Sequence, residues 1–187
     1  MHAGAQAQRW GWHRLDEAWA ARIVDESGVR PGELVLDIGA GKGALTEPLV
    51  AAGARVLAIE LHPGRAAFLR RRFAWADVKV VEADAGTSLL LPHKPFRVVA
   101  NPPYGISTAL LRALTARGSR LVRADLVLQR AVARKAAGEP RWGRWHARLG
   151  MSLPRHAFQP RPAVDSAVLV LALGKGDNGA DHRRAVE

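Results

Sequence analysis

With 187 residues, 48% of them hydrophobic and 24% charged, the chain is long enough for one α/β domain with a real core and too short for a second full domain beside it. No apolar run approaches the roughly 20 residues of a membrane-spanning helix, residues 1–10 carry no secretory stretch, and the absence of cysteine excludes disulfides, thiolate catalysis and zinc–thiolate sites, which together read as a cytoplasmic chain without a membrane partner. The net charge of +11 is concentrated in residues 112–161, where 12 Lys or Arg face only Asp125 and Glu139, a bias that suits a polyanion such as a nucleic-acid backbone.

Residues 15–27 show helical spacing through Leu15, Trp19 and Ile23, and Gly28 followed by Pro31-Gly32 ends that helix. Residues 34–38 form a short apolar run between turn residues, a buried strand, with a helix over 44–52 after it. A strand over 55–60, a helix over 63–74 and a strand over 78–81 continue the alternation. It closes with a strand over 96–100, a helix over 106–116 and a strand over 124–129. Strands separated by helices of this length imply parallel βαβ units and a doubly wound sheet. Residues 164–173 are apolar and β-branched, and pair with 151–153 as a terminal antiparallel hairpin. A mainly parallel α/β sheet ending in a hairpin fits the Rossmann-like class I methyltransferase variant better than the dehydrogenase one. The domain so drawn spans 14–173, with an N-terminal arm at 1–13 and a polar tail at 174–187 that reads as disordered.

The segment Asp37-Ile38-Gly39-Ala40-Gly41-Lys42-Gly43 follows the first of these strands and opens a helix. Alternate glycines turn the backbone sharply and clear space at the carboxyl edge of the sheet, where such folds bind ligands. The spacing is neither the dinucleotide fingerprint nor a phosphate loop, so it suits a nucleoside-type ligand without a pyrophosphate. Glu60 ends the second strand, where a carboxylate accepts from ribose hydroxyls, and Asp84 follows the third. Asn101-Pro102-Pro103-Tyr104 then follows the fourth strand. The prolines fix φ and hold the Asn amide and the next carbonyl rigid. Two such acceptors on the N–H bonds of a nucleobase amine favour a pyramidal nitrogen whose lone pair points at an electrophilic methyl, without a strong base. Tyr104, the one tyrosine of the chain, supplies a face for an extruded base.

These residues, with residues 8–15 and the run Phe158-Gln159-Pro160-Arg161-Pro162-Ala163-Val164-Asp165-Ser166, resemble in order and spacing the ribosomal RNA adenine N6-methyltransferases. That family comprises the Erm type, acting on large-subunit RNA, and the small-subunit dimethyladenosine transferases. Trp10-Gly11-Trp12-His13-Arg14-Leu15 and the small size are most similar to the short mycobacterial and actinobacterial Erm members. The resemblance implies S-adenosylmethionine as cofactor, held by His13, Leu15, Gly39, Ala40, Gly41, Glu60, Leu61, Asp84, Ala85 and Asn101. It implies catalysis by Asn101, Pro102, Pro103 and Tyr104, with Phe158 as a second aromatic contact to the base. The implied product is a methylated adenine in 23S rRNA, free or in a ribosome assembly precursor, that blocks macrolide, lincosamide and streptogramin B antibiotics. Two departures stand out. The family's Gln-Asn-Phe or Gln-His-Phe segment is replaced by Trp12, His13 and Arg14, and the helical domain that follows Ser166 in most members has no room in the residues that remain.

RNA binding is then expected from the catalytic domain of a monomer. Arg130, Arg134, Arg141 and Arg144 are the expected contacts, interleaved with Trp142 and Trp145, which either stack on unpaired bases or pack into the core. An arginine-rich genome would raise the total charge but not leave residues 1–111 near neutral, with 13 basic residues against 11 acids. Seven histidines show no metal-binding spacing, so no metal is assigned. The competing readings are a 16S rRNA dimethyladenosine transferase and, from another class, a non-catalytic RNA-binding relative; the intact Asn101-Pro102-Pro103-Tyr104 argues against the latter.

Overall fold

The computed structural model describes residues 13–87, 89–139 and 142–173. The arm before His13, the tail after Leu173 and Arg141 lie outside them. The chain opens with β1 (Arg14–Leu15) and α1 (Glu17–Ser27), then β2 (Leu34–Ile38), α2 (Thr46–Ala51), β3 (Arg55–Glu60), α3 (Pro63–Arg72) and β4 (Val78–Glu82). It continues through β5 (Phe96–Ala100), α4 (Ser107–Leu114), β6 (Leu121–Gln129), α5 (Arg130–Ala137), β7 (Trp145–Leu153), β8 (Phe158–Gln159) and β9 (Ser166–Leu173).

Seven strands form one sheet in the order β4-β3-β2-β5-β6-β9-β7, while β1 and β8 form a separate antiparallel pair. The strands β2 to β6 run parallel; β9 is antiparallel to β6 and β7 antiparallel to β9. The expected Rossmann-like sheet with a terminal hairpin is the fold observed. Side chains along each central strand alternate between two apolar layers. Val35, Val56, Val99 and Val127 pack on one face with Ile23 of α1, Leu49 of α2 and Leu69 of α3. Leu36, Ile38, Val98 and Leu126 pack on the other with Leu110 and Leu114 of α4 and Ala133 of α5.

Local signals set the helix ends more tightly than the periodicity did. Asp16 caps α1 by accepting from the Ala18 N–H at 3.0 Å, so Leu15 lies outside that helix and pairs with Phe158 instead. Gly28, at φ 63°, closes it. The strand expected over 124–129 begins at Leu121, and the hairpin partner expected over 151–153 begins at Trp145. β7 is an edge strand in which Trp145, Ala147, Leu149, Met151 and Leu153 alternate with His146, Arg148, Gly150 and Ser152, so it contains no apolar run of the kind that marked the central strands. The short helix α5 buries only Ala133 and Ala136, too little apolar contrast for the sequence to reveal it.

Arg97 of β5 is 8% exposed and anchors the amino end of the sheet. Its guanidinium donates to the Ser27 and Gly28 carbonyls at the end of α1 and to Glu33 Oε2 at 2.8 Å. Arg97→Ala strands two carbonyls and a carboxylate at once, and should lower unfolding stability by about 3 kcal/mol in denaturant titration, whereas Arg55→Ala, at an exposed pair, should cost under about 1 kcal/mol.

Candidate active site

The strands β2, β3, β4 and β5 all end at one edge of the sheet, and the four sequence motifs follow them there. Gly39, directly after β2, has φ 76° and hangs its N–H on the Ile59 carbonyl at 2.8 Å. A Cβ at this position would lie 3.0 Å from Pro103 Cδ and 3.4 Å from Pro102 Cα. The glycine loop therefore touches the proline-braced turn, and only a residue without a side chain permits both the left-handed φ and the approach.

Asn101 is half-buried at the end of the wholly buried β5. Its Nδ2 donates to the His13 carbonyl at 2.8 Å, while its Oδ1 accepts no hydrogen bond among the described residues. His13 is held in turn by a 2.8 Å bond from its Nδ1 to the Pro160 carbonyl, beside the β1–β8 pairing. The Tyr104 ring stacks on His13 at 5.6 Å and 29°, and its hydroxyl shares a 2.8 Å hydrogen bond with Ser166 Oγ. Burial pushes the phenol above its usual range, against the pull of that bond. A single-turn helix over Tyr104–Ile106 leads into α4, and Ser107 Oγ donates to the Tyr104 carbonyl.

One cleft joins His13, Leu15, Gly39, Ala40 and Asn101 with Arg14, Asp37, Lys42, Ala44 and Leu45. Of the expected cofactor residues, five line it. Gly41, Glu60, Leu61, Asp84 and Ala85 continue along the same edge at the ends of β3 and β4. Glu60 is 4% exposed, and its oxygens accept from the Gly41 and His62 N–H groups at 2.8 Å each, with Arg65 3.5 Å away. The carboxylate thus already braces the glycine loop, Oε1 being shared between the His62 N–H and Arg65 while Oε2 keeps one lone pair beside the Gly41 bond. Asp84 Oδ1 caps its own turn through the Gly86 N–H at 2.8 Å. Leu61 is exposed and Ala85 half-buried.

The structure overturns one expected RNA contact and decides between the two readings of the tryptophans. Phe158 is 2% exposed, packed in the α1–α3 core layer, because its strand pairs with β1 over that layer; its ring presents no face to solvent. Trp145 is 6% exposed, and Trp142 caps α5 by donating from Nε1 to the Ala136 carbonyl at 2.7 Å, so both indoles serve packing. Arg130, Arg134 and Arg144 are exposed, although Arg144 is tethered to the Ser119 carbonyl.

Asp37 was visible in the sequence only as the first residue of the glycine motif. It is 1% exposed at the end of β2 and accepts from Thr46 Oγ1 at 2.7 Å. Desolvation pushes its carboxyl up to about 7, helped by nearby Glu60 and opposed by the Thr46 bond. The folded form keeps its proton at pH values where the unfolded chain, with a carboxyl near 3.8, has lost it. The folded state is therefore progressively penalised as pH rises from about 4 to about 7. Asp37→Asn should flatten that fall in melting temperature relative to the parent; identical pH profiles would place the ionisation elsewhere.

Comparison with known proteins gives a consistent result. The family profile described as ribosomal RNA adenine dimethylase matches residues 13–184. The ribosomal RNA small subunit methyltransferase A of Thermosynechococcus vestitus is 35% identical over 181 residues, covering 88% of this chain and 68% of that protein. The mycinamicin-resistance protein MyrB of Micromonospora griseorubida is 37% identical over 166 residues, covering 84% of this chain and 52% of that one. The crystal structure of the 23S rRNA methyltransferase ErmE superposes with a TM-score of 0.77 at 31% identity, covering 88% of this chain and 70% of that one.

Proposed function

The chain belongs to the ribosomal RNA adenine dimethylase family, S-adenosylmethionine-dependent enzymes, and on that premise we propose that it methylates N6 of an adenine in 23S rRNA and so confers macrolide-lincosamide-streptogramin B resistance. The observation that carries this reading is the unpartnered Oδ1 of Asn101, held in place from its other end. When bound, S-adenosylmethionine supplies an electrophilic methyl group. The residues fit it: the bare Gly39 turn keeps the cleft open beside Ala40 and Asn101, Glu60 Oε2 keeps one lone pair for a hydroxyl, and Asp84 follows β4 at the same edge.

The adenine amine is a weak nucleophile because its lone pair is conjugated with the ring. Asn101 Oδ1 and a carbonyl of the Pro102-Pro103 turn accept its two N–H bonds, which localises the lone pair and stabilises the positive charge that develops on nitrogen. The transferred proton leaves to solvent, so no strong general base is required. His13 covers one face of Tyr104, and the extruded adenine stacks on the other. The likeness to the 23S rRNA methyltransferase ErmE supports the 23S target, and that to the mycinamicin-resistance protein MyrB supports the resistance. A second reading, dimethylation of 16S rRNA, is supported by the similarity to the Thermosynechococcus small-subunit enzyme.

Labelled cofactor incubated with separate 23S and 16S RNAs, followed by mapping of the modified nucleoside, should place the label on a 23S adenine; label on 16S alone would establish the second reading. Asn101→Ala should lower kcat about 10²- to 10³-fold with an unchanged unfolding midpoint, and near-parental turnover would remove the asparagine from the chemistry. Tyr104→Ala should cost more activity than Tyr104→Phe. Equal losses would assign the effect to the hydroxyl and its Ser166 bond instead of the ring.

A further inference from the structure

At the opposite, amino edge of the sheet lies a cleft of about 570 Å³. The turn between α4 and β6 forms one wall and the start of β7 the other, with Arg117, Ser119, Arg120, Gly143, Arg144 and Trp145 among the residues that line it. Arg144 ties the walls together: its Nη2 donates to the Ser119 carbonyl at 2.8 Å while its guanidinium lies 4.8 Å over the Trp145 ring. The lining contains no acid, and among the described residues no carboxylate pairs with Arg117, Arg120 or Arg144. Trp145 is 6% exposed, and its indole N–H is buried without a hydrogen-bond partner. That N–H has no accessible surface, so it reports on the cleft wall rather than contacting an occupant.

Three cations and no acid select an anion with several acceptor oxygens, and the volume admits a nucleotide unit rather than a lone ion. We propose that this cleft holds a phosphodiester unit of the RNA substrate, remote from the methylated base. The proposal rests on the rRNA reading above. Phe96 at the start of β5 donates to the Arg120 carbonyl at 3.2 Å, and Asn101 follows the last residue of that five-residue strand. At ~3.3 Å per residue the two sites are about 16 Å apart. An RNA strand flanking the target covers that span in about five nucleotides at ~3.4 Å each. The basic excess of residues 112–161 thereby acquires a second use, beyond the α5 arginines nearer the catalytic edge.

The test is the double substitution Arg117→Ala/Arg120→Ala, which removes two exposed side chains without touching Arg144 or the core. RNA Kd should rise about tenfold, and the slope of log affinity against log salt should flatten by about 1.5 to 2. The KM for RNA should rise with Kd while kcat at saturating RNA stays within about twofold. In the parent, the Trp145 indole N–H resonance, identified by its loss in Trp145→Phe, should shift with a short rRNA fragment and stay put with inorganic phosphate or a free mononucleotide at the same concentration. An unchanged salt slope, or an indole shift saturated by inorganic phosphate or the mononucleotide, overturns the RNA assignment. A parent protein that binds RNA through these arginines yet methylates no RNA leaves the cleft standing and sinks the methyltransferase reading. Methylation with a salt slope indifferent to Arg117 and Arg120 does the reverse.

Discussion

The site depends on a single hydrogen bond between residues 88 positions apart, from the Asn101 side-chain amide to the His13 carbonyl. An asparagine amide rotates freely unless its donor end is engaged, and the engaged end here fixes which way the oxygen points. The bond exists because β1 and β8 pair, which pins His13 beside Pro160, and because β5 delivers Asn101 at a fixed height on the sheet edge. The glycine loop packs on the far side of the same turn through Gly39. The cleft and the Asn101 amide are consequently braced against each other, as the proposed catalysis by position and fixed dipoles requires.

The buried residues of this edge also show the cost of assembling it. Asp37 sits in the core next to Glu60, two carboxyls brought close where little water reaches. Thr46 and the backbone amides of Gly41 and His62 absorb part of that burden. A site that must accept a positively charged ligand carries acidic groups that are poorly accommodated when it is empty, and stability is spent on keeping them there.

The parallel core was legible because each central strand is an apolar run bounded by turn residues and each motif sits at a strand end, so local sequence carries the information. Leu34–Ile38, Arg55–Glu60 and Phe96–Ala100 needed no adjustment. Non-local features were invisible. The β1–β8 pair joins residues almost a chain length apart, and it is this pairing that moves Leu15 out of α1 and Phe158 into the core. β7 escaped because its apolar residues alternate with His146, Arg148, Gly150 and Ser152 and never form a run, as an edge strand with one solvated face allows. Trp142 and Trp145 amid arginines read equally as stacking platforms or as core, and only the fold decides for packing: one caps a helix and the other fills the layer beneath α5. The glycine loop, Glu60 and the Asn-Pro-Pro-Tyr turn were readable as a site, but the mutual bracing of Glu60 and Gly41 was not, since it depends on the spacing of two adjacent strands.

The contact that orients Asn101 is made by a peptide oxygen, not by an imidazole. The peptide and the side chain of position 13 therefore divide the labour: the oxygen sets the amide of Asn101, while the imidazole ties its own segment to the Pro160 carbonyl and shields one side of the Tyr104 ring, so a substitution here loosens the strap before it removes the contact.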